Sequence, residues 1–409
     1  MNITIITSQL PYPLSSGGAQ AQFNIIDTLR KQHHFTMIFP INKKNSPQAL
    51  KRLLALWPEV CFHPYSYARQ LCYPKFLTDK AVRAIKLRVM PNDERFLVER
   101  ILKPYGYYCS HDFVGFVNNI ISESHADIVQ IDFYPHLHMV NYLQTTARKI
   151  FIQHEIRYVR NERILTPFTL TDKEKALAEN VRNQEIADLN QFDTVVTLTE
   201  TDKQQLTKDG VRVPIAVSPA AVSTPVRPFE QWNGKLTFIG GFTHIPNQEG
   251  IEWFIKNVLP IVNTDNIKAI EVIGKGWPES YKNLHPKLHF LGFVDDLDEV
   301  VHNSILVVPL LTGSGMRMKI LDAAAIGAPF ITTSVGVEGL LFKPGQSCLI
   351  GDTPTEFAQT VNRLTSDQSL MKILADNAQD IFKKFYSTEA LSVIRNAVYL
   401  QPPVYSSQK

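Results

Sequence analysis

Two cations and one carboxylate come closely after a glycine-rich turn. Gly313-Ser314-Gly315 is succeeded by Arg317, Lys319 and Asp322 within the stretch Pro309 to Leu340. An apolar run, Ile305-Leu-Val-Val-Pro309, leads into the turn, and a helix-like segment carries the charges away from it. A small-residue helix end at Gly327 then leads into a second apolar run, Pro329 to Thr332, and a further turn at Gly336. The order is strand, anion-friendly turn, helix, strand. It places Arg317 and Lys319 where free backbone N–H groups and a helix start favour negative charge. The chemistry this suits is the binding of a nucleotide or phosphate ligand at the carboxyl end of a parallel sheet.

The elements needed to hold such a site are legible along the chain. Residues 2–7, Phe35 to Pro40, Ala126 to Asp132, Lys149 to Gln153, Thr194 to Thr199 and Ile215 to Val217 read as strands. Gly17-Gly18 reads as a turn ahead of an amphipathic helix from Ala19 to Leu29, and Thr201-Asp202 as a helix cap. Prolines and polar residues gather from Pro219 to Trp232, the expected linker. The alternation then restarts. Lys235 to Ile239, Ala269 to Ile273, Leu288 to Leu291 and Ile305 to Val308 read as strands, with Gly240-Gly241 as a turn and a helix from Gln248 to Asn257. Alternating strands and helices in both halves predict an α/β fold of two doubly wound, Rossmann-like domains facing a cleft. The expected boundaries are 1–218, a linker 219–233, a second domain 234–385, and a final helical segment 386–409 crossing back to the first. A basic amphipathic insertion at about 65–105 interrupts the first domain.

Composition narrows the classes. With 409 residues, two domains are expected, and a hydrophobic fraction of 44% suits full globular cores. A net charge of +3 is too small for general nucleic-acid binding. The cysteines Cys61, Cys72, Cys109 and Cys348 form no Cys-x-x-Cys pair and suit reduced thiols. No run of about 18 apolar residues is present. These features predict a soluble cytoplasmic protein, with the basic insertion as a peripheral contact at the inner face of a membrane.

The motifs together resemble a known family. Gly-x-Gly-x-Arg-x-Lys-Ile-Leu-Asp-Ala at Gly313 to Ala323, Gly327-x-Pro329, and Thr333-x-x-Gly-x-Glu-Gly-Leu340 are similar to the C-terminal domain of retaining GT-B enzymes of the "glycosyl transferases group 1" family. Phe238-Ile-Gly-Gly-Phe-Thr-His-Ile-Pro-Asn247, Ile273-Gly-Lys-Gly276, Phe290-Leu-Gly-Phe293 and Asp295-Asp-Leu297 agree with that domain's earlier parts. Pro11-x-Pro13, Gly17-Gly18, Phe192-Asp193 and Thr199-Glu-x-Asp202 resemble landmarks of the N-terminal one. The resemblance implies transfer of a hexose-type sugar from a nucleoside-diphosphate (NDP) sugar to a glycan or lipid-linked glycan hydroxyl, with retention and with no metal or other cofactor. It implies Gly17, Gly18, Gly241, Arg317 and Lys319 around the donor diphosphate. Ser314, Gly315, Asp322 and Glu338 would face the ribose or sugar, and Gly292, Phe293 and Val294 the base. Without a metal, the charge gathering on the leaving diphosphate must be met by cations, N–H groups and helix ends.

This chain departs from the family pattern in two places. Where many members carry two glutamates across the turn and helix, it has Ser314 and Asp322. Where many carry Arg and Lys after the first strand of the second domain, it reads Gly240-Gly-Phe-Thr-His244. Arg317 and Lys319 are expected to supply that missing charge. In the first domain, Asp132 ends a strand and is the candidate for orienting an acceptor hydroxyl or stabilising positive charge at the anomeric carbon. His154 ends the next strand and is expected to line the site, and His136 and His138 qualify by type. A strand-end Asp also serves as a cap or loop acceptor. Two other functions fit the architecture: a sugar-nucleotide epimerase, and a protein that binds nucleotide sugar or glycan without turnover. A nicotinamide dehydrogenase is disfavoured, because Gly-x-Gly-x-x-Gly is absent after the first strand.

Overall fold

The computed structural model describes residues 1–14, 16–41, 47–66, 94–103, 110–313 and 315–401. The chain divides into two compact units. One is built from Met1–Ser218 together with Ile394–Lys409, and the other from Pro219–Val393.

The first unit has a sheet of seven parallel strands. These are β1 (Asn2–Thr7), β2 (His34–Pro40), β3 (Cys61–Tyr65), β4 (Ile128–Asp132), β5 (Arg148–Gln153), β6 (Thr194–Thr197) and β7 (Ile215–Val217), in the order β3-β2-β1-β4-β5-β6-β7. The central strands are buried along nearly their whole length, as β-branched strands covered on both faces must be. Four helices of this unit lie near the residues of interest: α1 (Gly17–Leu29), α2 (Arg157–Leu165), α3 (Asp172–Leu189) and α4 (Glu200–Lys208). Phe113, Val117, Ile131, Phe151 and Val195 share one side of its core.

Two helix starts differ from the sequence pattern. Gly17 and Gly18 are the first turn of α1 rather than a turn ahead of it, because Ser16 caps the helix by accepting from the Ala19 N–H at 3.3 Å. The cap of α4 is Thr199, whose hydroxyl accepts from the Asp202 N–H at 3.0 Å, and Thr201 already lies inside the helix. Thr199 holds an extended φ and ψ, which a cap requires. Residues 67–93 and 104–105, most of the basic insertion, lie outside the described residues.

The second unit has six parallel strands: β8 (Lys235–Ile239), β9 (Ala269–Ile273), β10 (Leu288–Gly292), β11 (Ile305–Val308), β12 (Phe330–Thr332) and β13 (Leu349–Ile350), in the order β10-β9-β8-β11-β12-β13. Helix α5 (Ile245–Trp253) begins earlier than the sequence pattern suggested. It passes into a π-helical turn at Phe254–Val258 that buries Phe254 and Val258, and Pro260 comes next. Helix α6 (Met318–Ala325) comes after the glycine-rich turn. Phe238, Phe254, Phe357 and Leu374 fill the core.

Helix α7 (Thr388–Leu400) ends the described chain, and its last turns belong to the first unit. Arg148, at the start of β5, closes its carboxyl end. One guanidinium nitrogen donates to the carbonyls of Val398 at 2.8 Å and Gln401 at 2.7 Å, and another donates to Thr194 Oγ1 at 2.7 Å. The last carbonyls of a helix lack intrahelical donors, so a buried cation there meets both their hydrogen-bonding need and the dipole.

Both sheets reverse their direction of growth at one place. The reversal lies between β1 and β4 in the first unit and between β8 and β11 in the second. The loops leaving the two strands diverge there and open a crevice at their carboxyl ends.

Candidate functional site

The reversal in the second unit brings together Gly241, Gly315, Arg317, Lys319 and Glu338 of the predicted donor-binding residues. Gly240 and Gly241 leave β8, and Gly313 and Gly315 come after β11. The first turn is held by close backbone packing. A Cβ on Gly274, whose φ is +150°, would stand 2.3 Å from the Gly240 carbonyl oxygen. The Trp277 indole donates to that same oxygen at 3.0 Å, and the Phe242 N–H donates to the Lys275 carbonyl at 3.0 Å. A side chain at Gly274 is excluded by space as well as by backbone conformation.

Lys319 projects from the first turn of α6 back to that loop. Its Nζ donates to Asn247 Oδ1 at 2.7 Å and lies 4.4 Å from the centre of the Phe238 ring. Asn247, in the first turn of α5, donates in turn to the Gly241 carbonyl at 3.1 Å. Burial, assisted by the charge of Arg317, pushes the Lys319 amine down to about 7.

Arg317 is the residue before α6 and is 7% exposed. Its guanidinium donates to the Gly315 carbonyl and, at 2.9 Å, to the Val335 carbonyl. The Glu338 carboxylate lies 3.9 Å away. Arg317 and Glu338 therefore stand together, and Arg317 also braces the turn.

Asp322 is 4% exposed and accepts from the Thr224 hydroxyl at 2.7 Å. Thr224 comes from the stretch read as a linker, and sequence reasoning did not single it out. Gly292 has a φ of +73° with open space where a Cβ would stand. Phe293 after it is 56% exposed, with the Lys275 Nζ 4.2 Å from its ring centre, and Val294 is half-buried. Ser314 lies outside the described residues.

At the reversal in the first unit, Gly18 and His154 lie against one aromatic ring, that of Phe133, the residue after Asp132. Phe133, just past β4, has a φ of +69°, which a bulky residue adopts only when its surroundings fix it. Its ring stacks on His154, centres 4.1 Å apart and planes 17° apart. On another side it meets Gly18, where a Cβ would lie 2.8 Å from the ring. The need for glycine at Gly18 is thus a close approach to Phe133.

Asp132 is 1% exposed. It accepts from Gln22 Nε2 at 2.5 Å and from Gln130 Nε2 at 2.9 Å. Burial raises its carboxyl to about 6, against the lowering effects of the two amides and of Arg395. Both oxygens are engaged within the protein, so Asp132 sits behind the crevice surface.

Burial, with Arg395 adding its positive charge, pushes the His154 imidazole down to about 3. Neither of its ring nitrogens has a hydrogen-bond partner among the described residues, and the same holds for Gln22 Oε1 and Gln153 Oε1. Buried polar atoms are normally satisfied; here His154 and Gln153 stand at the carboxyl end of β5 and Gln22 on α1. His136 is fully buried against Phe113, and burial holds it down to about 4. His138 pairs with Asp188 of α3 at 2.9 Å.

Nearby, Glu185 of α3 is fully buried and caps α2. It accepts from the N–H groups of Arg157 and Tyr158, each at 3.1 Å, and from Gln153 Nε2 at 3.0 Å. Among the described residues, no three His, Cys, Asp or Glu side chains gather as a metal site, and no helix is long and apolar enough to cross a membrane.

The residues that sequence reasoning missed had signals of a kind. Gln130 is a polar residue in the middle of a buried strand, and such a residue needs a specific partner. Gln22 falls on the buried face of α1. Asn247 ends the Phe238 to Asn247 motif of the family resemblance, but its bond to Lys319 had no sign in the sequence.

The fold is that of two-domain, parallel-sheet proteins of the GT-B class. Residues 233–367 match the family model described as Glycosyl transferases group 1. A protein of Klebsiella pneumoniae, described as an uncharacterized 44.6 kDa protein in the cps region, is 21% identical over 95% of this chain and 97% of its own length. Two solved structures share the fold over nearly all of both chains. Sucrose-phosphate synthase from Thermosynechococcus elongatus has a TM-score of 0.71 at 14% identity, covering 98% of each chain. Anabaena HepE in complex with UDP has a TM-score of 0.67 at 13% identity, covering 97% of this chain and 99% of that one.

Proposed function

We propose that this protein is a retaining, metal-independent glycosyltransferase. It moves a hexose-type sugar from an NDP-sugar to a hydroxyl of a glycan or lipid-linked glycan during polysaccharide assembly, at the cytoplasmic face of the membrane. The observation that carries this reading is the Lys319–Asn247–Gly241 link beside Arg317. It brings the charge of α6 to the loop after β8, where the chain has no Arg or Lys of its own. When the bond from the anomeric carbon to the diphosphate breaks, the electron pair leaves on a phosphate oxygen, and an amine and a guanidinium beside that oxygen stabilise it. Lys319 and Arg317 have that role. Asp322, steadied by Thr224, accepts from the ribose hydroxyls, and Phe293 offers its face to the base.

In the first unit, the orphaned atoms of His154, Gln22 and Gln153 suit a hydroxyl-rich acceptor, and Asp132 holds the charge balance behind them. The match to the family model, the UDP in the HepE structure and the cps-region relative support the donor and the pathway class. The test is a thermal-shift series with UDP, GDP, ADP, TDP and CMP, with and without Mg²⁺. A ligand bound only by the native state raises the melting temperature by mass action. One diphosphate is expected to give a shift that Mg²⁺ does not change, and silence from all of them would sink the proposal.

A further inference from the structure

Asp132 is wired to the last helix of the chain. The Tyr399 hydroxyl donates to Gln130 Oε1 at 2.7 Å, and the amide nitrogen of the same Gln130 donates to Asp132 Oδ1 at 2.9 Å. All three side chains are buried. Tyr399 is fixed in place from several sides. Arg148 holds the end of its helix, its ring meets His33 edge-on with centres 5.6 Å apart, and Arg395 Nε donates to Ser218 Oγ at 2.9 Å one turn earlier.

An amide has one accepting end and one donating end. With its oxygen taken by a hydroxyl proton, Gln130 can offer only N–H to the carboxylate. If the amide turned over, its carbonyl would face Asp132, and that contact is favourable only to a protonated acid. We propose that Tyr399 and Gln130 are positioning residues for the first unit's site: the hydroxyl on the last helix sets the direction of the Gln130 amide, and so keeps Asp132 an acceptor. For catalysis this rests on the glycosyltransferase reading above, but the coupling itself does not.

The charged and titratable groups facing this cluster are Arg395 and Tyr399 from α7 and His154 from the end of β5, with His33 behind Tyr399. Asp132 titrates above its ordinary value in the folded chain. Its ionisation therefore lowers stability as pH rises from about 4 to about 6. Removing the hydroxyl frees the Gln130 amide and moves that decline to higher pH.

The experiment is urea unfolding of the full chain from about pH 4 to 8 for the wild type, Tyr399→Phe, Asp132→Asn and the double variant. Tyr399→Phe is expected to move the falling limb up by about half a pH unit or more, and the move should vanish in the Asp132→Asn background. Gln130→Met should give the same displacement, with no addition from Tyr399→Phe, and it stands in if the tyrosine variant folds poorly. A loss of stability equal at every pH, or a displacement that survives in Asp132→Asn, overturns the coupling. UDP release from UDP-glucose over the same range is tracked in parallel. There Tyr399→Phe should displace the acid limb without changing KM, and Asp132→Asn should lower turnover and remove that displacement. Full turnover by Asp132→Asn would overturn the catalytic reading, while the unfolding data still decide the coupling.

Discussion

Lys319 and Asn247 join two helix starts that the sequence keeps 72 residues apart. The amine leaves α6 and ends on the side chain of α5, 2.7 Å from its oxygen. A cation supplied by the later helix thus serves the earlier loop, and the position of that amine governs both binding and stability.

Lys319→Ala should weaken binding of the cognate nucleoside diphosphate by about tenfold or more, the scale of one charge-assisted hydrogen bond to phosphate. Isothermal titration calorimetry measures this directly. Circular dichroism should show the variant folded, because the lysine is a cost to the free protein rather than a support.

That cost has a sign. The amine of the folded chain titrates near 7, below its ordinary value, so the folded state carries fewer protons than the unfolded state above that pH. The penalty is complete below pH 7 and fades as pH rises towards about 10. Lys319→Met should therefore be more stable than the wild type at pH 6, by a margin that shrinks towards pH 9. Diphosphate binding at pH 8 should take up a proton, seen as a buffer-dependent heat when Tris is compared with HEPES. Identical heats in both buffers would refute the assignment.

Asp322 and Thr224 separate folding from binding. Thr224→Val leaves the buried carboxylate one donor short and should cost about 1–3 kcal/mol in urea unfolding. Asp322→Asn keeps an acceptor for Thr224, so it should lose little stability. It should still lose nucleoside diphosphate affinity, since an amide is a weaker acceptor for ribose hydroxyls.

Gly18→Ala tests the aromatic stack. The added carbon would stand 2.8 Å from the Phe133 ring, so the ring must move off His154 or the helix must shift. A loss of about 1–3 kcal/mol is expected, with a changed environment for the His154 ring by NMR.

How far the sequence led can be seen at particular residues. The apolar runs marked the inner strands nearly to the residue, since a parallel strand buried on both faces is continuously apolar. Short edge strands such as β3 and β13 were missed, because CFHPY and two residues of LI carry no such pattern. The glycine-rich turn and its cations were legible because glycines and charges that follow an apolar strand form a local pattern. The partners were not. Thr224 meets Asp322 across 98 residues, and Tyr399 meets Gln130 across 269. Nothing local distinguishes a threonine that holds a carboxylate from one that merely faces water. The start of α5 was misplaced because Pro246 and Asn247 read as loop residues, whereas proline is at home in the first turn of a helix.

The first unit borrows its last turns from the far end of the chain, and this bears on how the protein is made. During synthesis, residues 1–218 leave the ribosome well before Ile394 to Gln401 exist. Over that interval the Arg148 guanidinium lacks the carbonyls it closes, and Gln130 lacks its tyrosine. The second unit can close on its own stretch of chain meanwhile. The nascent first unit waits with a gap in its side, which is the condition under which partly folded domains engage chaperones or stick to one another.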